Sequence, residues 1–183
     1  MRLALSTGAV IEGTHLLVAA GRRASLDGLD LEKAGVQRNE KGALVLDARL
    51  RTSNRRIYAA GDAAGGAQFT HVAGDHASTI VRNILFKMPA NRRDGLAPRV
   101  TYCTPELAAV GLSAREAQEH DVKAETVRVD VAGNDRARAE RATDGFIKAH
   151  VGSDGRILGA TIVGENAGDL IGLWSYAIAA KAR

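Results

Sequence analysis

Asp62 is the residue of this sequence whose type and position best suit chemistry. It ends the apolar run IYAAG (57–61) and precedes the glycine pair Gly65 and Gly66. An acid at the end of a strand in an open α/β sheet lies at the edge where ligands bind, and glycines there let the backbone approach a ligand closely. A carboxylate in this place either accepts hydrogen bonds from sugar or polyol hydroxyls or caps a turn or the following helix. Residue types and spacing leave both interpretations open.

A helix over residues 71–86 (HVAGDHASTIVRNILF) would position this site. Its N terminus would direct unpaired backbone N–H groups toward the same place, which suits polar or anionic ligand atoms. Apolar side chains recur at helical spacing and predict one buried face. These side chains are Val72, Ala73, Ala77, Ile80, Val81, Ile84 and Leu85.

The first half of the chain contains short apolar runs that predict buried sheet strands. These runs are residues 15–21, 42–47 and 56–62. Residues 87–98 hold two of the three prolines together with Gly, Asn and Arg, and this composition favours a domain boundary.

The second half follows a different pattern, typical of an α+β domain with a mostly antiparallel sheet. Ser113 and Glu116 form a capping-box pattern that predicts a helix over residues 113–120, and the turn GSDG (152–155) predicts a hairpin. The alternating residues 124–131 predict a half-exposed strand. Further strands are expected at 99–103, 107–112, 146–151 and 156–164, and a final helix from about Asn166.

Composition excludes several classes of function. The net charge is +4, but the basic residues are scattered among acids and only 4% of residues are aromatic, so we expect no nucleic-acid partner. No apolar stretch approaches the roughly 20 residues of a membrane helix, so we expect no membrane association. The one cysteine, Cys103, rules out an intramolecular disulfide and is typical of a reducing compartment, which predicts a cytoplasmic protein without a metal site.

Several longer segments resemble one enzyme family. LLVAAGRR (16–23), LRTSNRRIYAAGD (50–62) and QFTHVAGDHA (68–77) are similar to the second flavin-binding segment of the FAD-dependent pyridine nucleotide-disulfide oxidoreductases. TYCTPELAAVGLSAREA (101–117) and ILGATIVGENAGDLI (157–171) resemble the dimerisation domain of that family. The resemblance implies a partial Rossmann-like FAD/NAD-binding subdomain followed by an α+β dimerisation domain.

The resemblance also implies roles for individual residues. The family's acid in the motif A-G-D binds the ribityl chain of FAD, and here Gly61 and Asp62 occupy that motif. Gln68, Phe69, Thr70 and His71 match the stretch whose backbone N–H groups face the isoalloxazine ring. A local hydrogen bond by the His71 ring is an equally good interpretation of that side chain. In the reaction of a complete enzyme of this family, a hydride would pass from NAD(P)H to FAD and electrons would continue to a disulfide or related acceptor.

Other features of the family are not found in the sequence. No G-x-G-x-x-G spacing, cysteine pair or His-Pro motif occurs, so no catalytic residue is predicted and Cys103 is expected to be a buried, inert thiol. We therefore expect residues 1–98 to hold a remnant edge hairpin of the nicotinamide domain (1–13) and the second FAD segment. Residues 99–183 would form the homodimerisation domain without its last segment. Such a C-terminal fragment would bind FAD weakly or not at all and be inactive alone; the alternative is a stand-alone dimerising module derived by truncation.

Overall fold

The first half of the chain contains little regular structure in the computed structural model, which describes residues 1–93 and 95–183. Strands β1 (Arg2–Ala4) and β2 (Val10–Glu12) pair antiparallel, which confirms the hairpin expected in residues 1–13. A short 3₁₀ helix (Gly61–Ala64) and helix α1 (Thr70–Ile84) follow.

The three buried strands predicted between residues 15 and 62 do not form. Only two isolated bridges occur among them, Arg38 with Leu44 and Arg51 with Tyr58. The run at 15–21 has no regular secondary structure and is exposed, with Leu17 89% accessible. A strand needs a neighbour that pairs with its backbone over several residues, and within residues 1–93 and 95–183 these segments make at most isolated bridges. The apolar runs were therefore not a sufficient sign of a sheet.

The second half forms one five-stranded antiparallel sheet, as the sequence predicts. Its spatial order is β3-β4-β7-β6-β5. The predicted half-exposed strand at 124–131 is wrong in detail, because β5 is an edge strand and exposed along its whole length. The strand bounds are β3 (Arg99–Thr101), β4 (Glu106–Gly111), β5 (Ala124–Asp130), β6 (Phe146–Gly152) and β7 (Ile157–Gly164).

Local capping signals define the helices of this half. The capping box is confirmed: the Ser113 side chain accepts from the Glu116 N–H and the Glu116 carboxylate accepts from the Ser113 N–H, at the start of α2 (Ala114–Glu119). A short helix α3 (Asp135–Glu140) was not predicted, although Asn134 is a good N-cap residue and accepts from the Ala137 N–H.

The last helix, α4 (Ala167–Ala179), covers the sheet and completes the larger hydrophobic core. Ala167 and Ile171 are buried at helical spacing against Val110 of β4 and Ile162 of β7. Trp174 and Ile178 continue the same face and are partly buried. Among the described helices, none is long and apolar enough to cross a membrane.

Helix α1 buries only part of the predicted apolar face. Val72 is buried and Ile80 packs against the small core, as predicted, but the other buried residues are the polar His76 and Thr79. The predicted apolar positions Val81 and Ile84 are 45% and 53% exposed. Spacing alone favoured the apolar side chains, whereas the structure packs the stripe that faces the Gly61–Ala64 turn and the small core formed by Leu50, Ala59 and Ala64.

Removing the carboxylate of Glu106 is expected to destabilise the fold. Glu106 in β4 accepts a hydrogen bond from the Gly168 N–H at 2.9 Å, so a distant strand caps the start of α4. Because Asn166 makes no side-chain cap, Glu106→Ala leaves that amide unpaired. We expect a loss of about 1 kcal/mol, or roughly 2–4 °C in Tm. In thermal unfolding, Glu106→Gln, which keeps an acceptor oxygen, should lose less; equal losses would contradict the capping role.

The capping box should make stability depend on pH. Hydrogen bonds from the Ser113 side chain and backbone, together with Arg99, lower the pKa of Glu116 below its usual 4.5. A lowered folded-state pKa stabilises the protein above 4.5, and this contribution is lost as pH falls through the folded pKa. Ser113→Ala should therefore cost about 1 kcal/mol at pH 7 and progressively less below pH 4.5, measured by urea unfolding. A difference that is independent of pH would contradict this.

Candidate functional site

Asp62 lies in the first turn of the 3₁₀ helix and leaves its carboxylate half exposed. Its side chain is 51% accessible. Ala60 is the N-cap residue of the 3₁₀ helix and Phe69 that of α1, and neither helix has a side-chain cap. The interpretation of Asp62 as a helix cap is therefore wrong. The carboxylate is available to accept hydrogen bonds.

Arg22 is the partner of Asp62, and sequence reasoning missed it. Its Nη1 lies 3.8 Å from Oδ2 of Asp62, and its Nη2 donates a hydrogen bond to the carbonyl oxygen of Gln68 at 2.6 Å. One guanidinium thus brings together the acid and the residues that precede α1. The only sequence signal was the Arg22–Arg23 pair after Gly21, because a contact between such distant segments has no local pattern.

The N terminus of α1 offers backbone donors, as expected. Phe69, Thr70 and His71 have no hydrogen-bond acceptor for their N–H groups within the part of the chain that the structure describes. This is the normal state of a first helical turn. The Phe69 and His71 rings stack with centroids 5.3 Å apart. The predicted residues Gln68, Phe69, Thr70 and His71 therefore lie together at one helix end.

The His71 ring makes a long-range hydrogen bond. Its Nε2 lies 2.9 Å from the carbonyl oxygen of Pro98. A carbonyl only accepts, so Nε2 carries a proton. This contact ties the start of α1 to the segment that leads into β3. The expected hydrogen bond of the His71 ring was a local one, whereas the observed partner lies 27 residues away.

Gly61 places the turn directly against α1. Its φ is +58°, and a β-carbon at this position would lie 3.0 Å from Cβ of Ala73. The Gly61 N–H donates to Nδ1 of the buried His76 at 3.1 Å. A side chain at residue 61 would therefore be strained and would push the turn away from the helix.

These groups fit a flavin nucleotide by the chemistry of their donors and acceptors. A half-exposed carboxylate, that of Asp62, suits the hydroxyls of a polyol chain. The unpaired N–H groups of residues 69–71 suit the carbonyl oxygens and ring nitrogens of a heteroaromatic ring. Both sets meet at the Arg22 guanidinium, which contacts Asp62 and Gln68.

One cleft among the described residues does not have Asp62 in its lining. Its volume is about 980 Å³, and it lies between the first turns of α1, residues 92, 93 and 95–98, and α4. His71 and His76 reach it, together with Tyr176. The cleft thus borders the candidate site: His71 belongs to both, whereas Asp62 lies outside the cleft lining.

Other candidate chemistry is limited. The expected burial of Cys103 is wrong: the residue lies exposed in the loop after β3, where its Sγ donates to the Pro105 carbonyl oxygen at 3.1 Å. The loop leaves the sheet before the thiol can be covered. Within residues 1–93 and 95–183, no group of three or more His, Cys, Asp and Glu side chains could hold a metal ion.

Comparisons with known proteins match both halves of the chain to family models. The family model "Pyridine nucleotide-disulphide oxidoreductase" matches residues 1–77, and "Pyridine nucleotide-disulphide oxidoreductase, dimerisation domain" matches residues 97–183. Mercuric reductase of Streptomyces lividans is 37% identical over 172 residues, which are 93% of this chain and 36% of the relative. Dihydrolipoyl dehydrogenase of Chlorobaculum parvum is 36% identical over 163 residues, 88% of this chain and 34% of the relative.

A solved structure extends the similarity to three dimensions. The HOCl-induced flavoprotein disulfide reductase RclA from Escherichia coli matches with a TM-score of 0.85 and 31% identity, over 97% of this chain and 41% of its own. The chain thus spans about a third of the length of the curated relatives it matches. Since the two family models together cover nearly the whole sequence, the chain belongs to the pyridine nucleotide-disulphide oxidoreductase family.

Proposed function

We propose that this chain supplies flavin contacts and a subunit interface to an FAD-dependent oxidoreductase. Residues 1–98 would carry the flavin contacts and residues 99–183 the interface between two copies. The observation that carries the proposal is the seating of the Gly61–Asp62 turn against α1, with Arg22 joining Asp62 to Gln68 at the helix start. The family matches over both halves of the chain support it.

Each part of the site has a distinct task. Asp62 would accept hydrogen bonds from the ribityl hydroxyls, while the N–H groups of Gln68, Phe69, Thr70 and His71 would face the ring. When bound, FAD supplies the transfer of hydride and electrons from NAD(P)H to a disulfide or related acceptor. A single cysteine provides no dithiol in these 183 residues, so we propose that they do not catalyse this reaction alone. The single thiol also supports a cytoplasmic location.

The outer face of α4 is the proposed contact between two copies. Leu173 and Tyr176 are each 73% exposed, and Leu170 is 51% exposed, on the side opposite the buried Ile171. An exposed apolar patch of this kind marks an interaction surface. A second copy is the proposed occupant because the matching family model describes a dimerisation domain.

A module that dimerises without using flavin is the alternative function. It is favoured by the exposed apolar run Leu16, Leu17 and Val18, which is 51%, 89% and 76% accessible. Such a surface suits a protein partner better than solvent. The two functions differ in the affinity of this chain for FAD. Flavin contacts require an affinity that is weak but measurable, whereas the alternative requires dimers that form normally in a chain with no measurable affinity.

Replacing Asp62 should weaken flavin binding. Asp62→Asn removes the charge and one acceptor oxygen, so the dissociation constant of FAD should rise roughly three- to tenfold, given about 1 kcal/mol per hydrogen bond. Quenching of flavin fluorescence measures it. Asp27→Asn removes a carboxylate that is also paired with an arginine, Arg23, and is 72% exposed, so it should change nothing. Equal affinities of the wild type and Asp62→Asn would contradict the role of Asp62, and FAD that stays stoichiometrically bound through gel filtration would contradict the expected weak binding.

A charge on the outer face of α4 should separate the dimer. Leu173→Glu introduces a carboxylate where apolar contact is expected, so the dimer dissociation constant should rise at least tenfold, because burying an unpaired charge costs several kcal/mol. Sedimentation velocity measures the change. Leu29→Glu is the control, since Leu29 is 59% exposed but lies in the first half of the chain. A wild type that is monomeric, or a Leu173→Glu variant that stays dimeric, would contradict this interface.

A further inference from the structure

We propose that His76 is the positioning residue for Asp62: its Nδ1 holds the Gly61–Asp62 turn in place for flavin. This inference rests on the proposed function and extends it to a residue outside the predicted site. His76 is 5% exposed in the second turn of α1. Its Nδ1 accepts the hydrogen bond of the Gly61 N–H at 3.1 Å.

This contact defines the protonation of the ring. A backbone N–H only donates, so Nδ1 of His76 is unprotonated, and a neutral ring carries its proton on Nε2. His76 also lines the cleft that borders the site. The imidazole therefore serves the turn as an acceptor, and neither a cation nor the other neutral tautomer can replace it.

The contact acts on Asp62 because no residue separates it from Gly61. Gly61 faces Ala73 so closely that a β-carbon at residue 61 would lie 3.0 Å from that of Ala73, and it is hydrogen-bonded to His76 one turn further along the same helix. Two contacts on one helix face fix both the distance and the rotation of the turn. Without the hydrogen bond, the packing against Ala73 would fix the distance but allow the peptide before Asp62 to rotate. The carboxylate would then lose its orientation toward the helix start.

The free-energy cost of leaving the Gly61 amide unpaired supports this role. The Gly61 N–H is buried, and a buried amide without an acceptor is unfavourable. Among the described residues, the bond to His76 is the hydrogen bond that this amide makes. Removing the imidazole nitrogen therefore forces the turn to move until the amide reaches water. This movement can be detected in two ways: by exchange of the Gly61 amide, which reports the hydrogen bond, and by FAD affinity, which reports the geometry of the site.

The test compares His76→Leu, which keeps the volume but has no acceptor, with His76→Asn, whose Oδ1 replaces Nδ1. Thr79→Val is the matched control, because Thr79 is the next buried polar residue of α1. Hydrogen exchange of the Gly61 amide, measured relative to the Ile80 amide in the full 183-residue chain, reports the hydrogen bond. Fluorescence titration with FAD reports the site, and ¹⁵N shifts of the histidine rings report the tautomer.

We expect Gly61 exchange to be roughly tenfold faster and FAD affinity roughly three- to tenfold weaker in His76→Leu. His76→Asn should stay within about threefold of the wild type in both, and Thr79→Val should match it. A protonated Nδ1 in the wild type, unchanged Gly61 exchange in His76→Leu, or no recovery in His76→Asn would overturn the proposal. So would unchanged FAD affinity in His76→Leu despite faster exchange.

The two proposals fail in different ways. A wild-type chain with no affinity for FAD, even at millimolar concentration, would overturn the flavin part of both. Exchange and ring shifts would then still show whether His76 holds the turn. Normal FAD binding with an Asp62→Asn effect but no His76→Leu effect would overturn only the role of His76.

Discussion

The close approach of Gly61 to α1 is the constraint on which the candidate site depends. A β-carbon at residue 61 would lie 3.0 Å from that of Ala73, and the φ of +58° is unfavourable for other residues. A small residue is needed on the helix as well, which Ala73 provides. The Gly-Asp order follows from this contact: glycine permits the approach, and the next residue carries the carboxylate out to the surface beside the helix start.

The same helix start is connected to the second half of the chain. The His71 ring reaches the Pro98 carbonyl, and the Ser175 hydroxyl of α4 donates to the carbonyl oxygen of Leu96 at 2.9 Å. Both bonds end on the segment between α1 and β3. The start of α1 and helix α4 are therefore both fixed to one short segment, at Pro98 and Leu96.

Local signals explain which parts of the fold could be predicted. The capping box of Ser113 and Glu116 and the GSDG turn involve neighbours in sequence, and the structure confirms both. The strands expected between residues 15 and 62 failed because strand formation depends on a distant partner. The same limit applies to the site. Asp62 was found from its motif. Its contact with Arg22 and the burial of the polar His76 depend on segments that are distant in sequence, so no local pattern predicts them.

The contact with Arg22 leaves most acceptor positions of the Asp62 carboxylate free. The pair is 3.8 Å apart with both side chains more than half exposed, and such pairs contribute about 0–1 kcal/mol. A carboxylate has about four acceptor positions, and a guanidinium at this distance leaves them largely free. The strong bond of Arg22 is the one to the Gln68 carbonyl at 2.6 Å, which fixes the guanidinium itself. Arg22 therefore provides a fixed positive charge beside Asp62 and the start of α1, while the Asp62 oxygens stay available to hydroxyl donors.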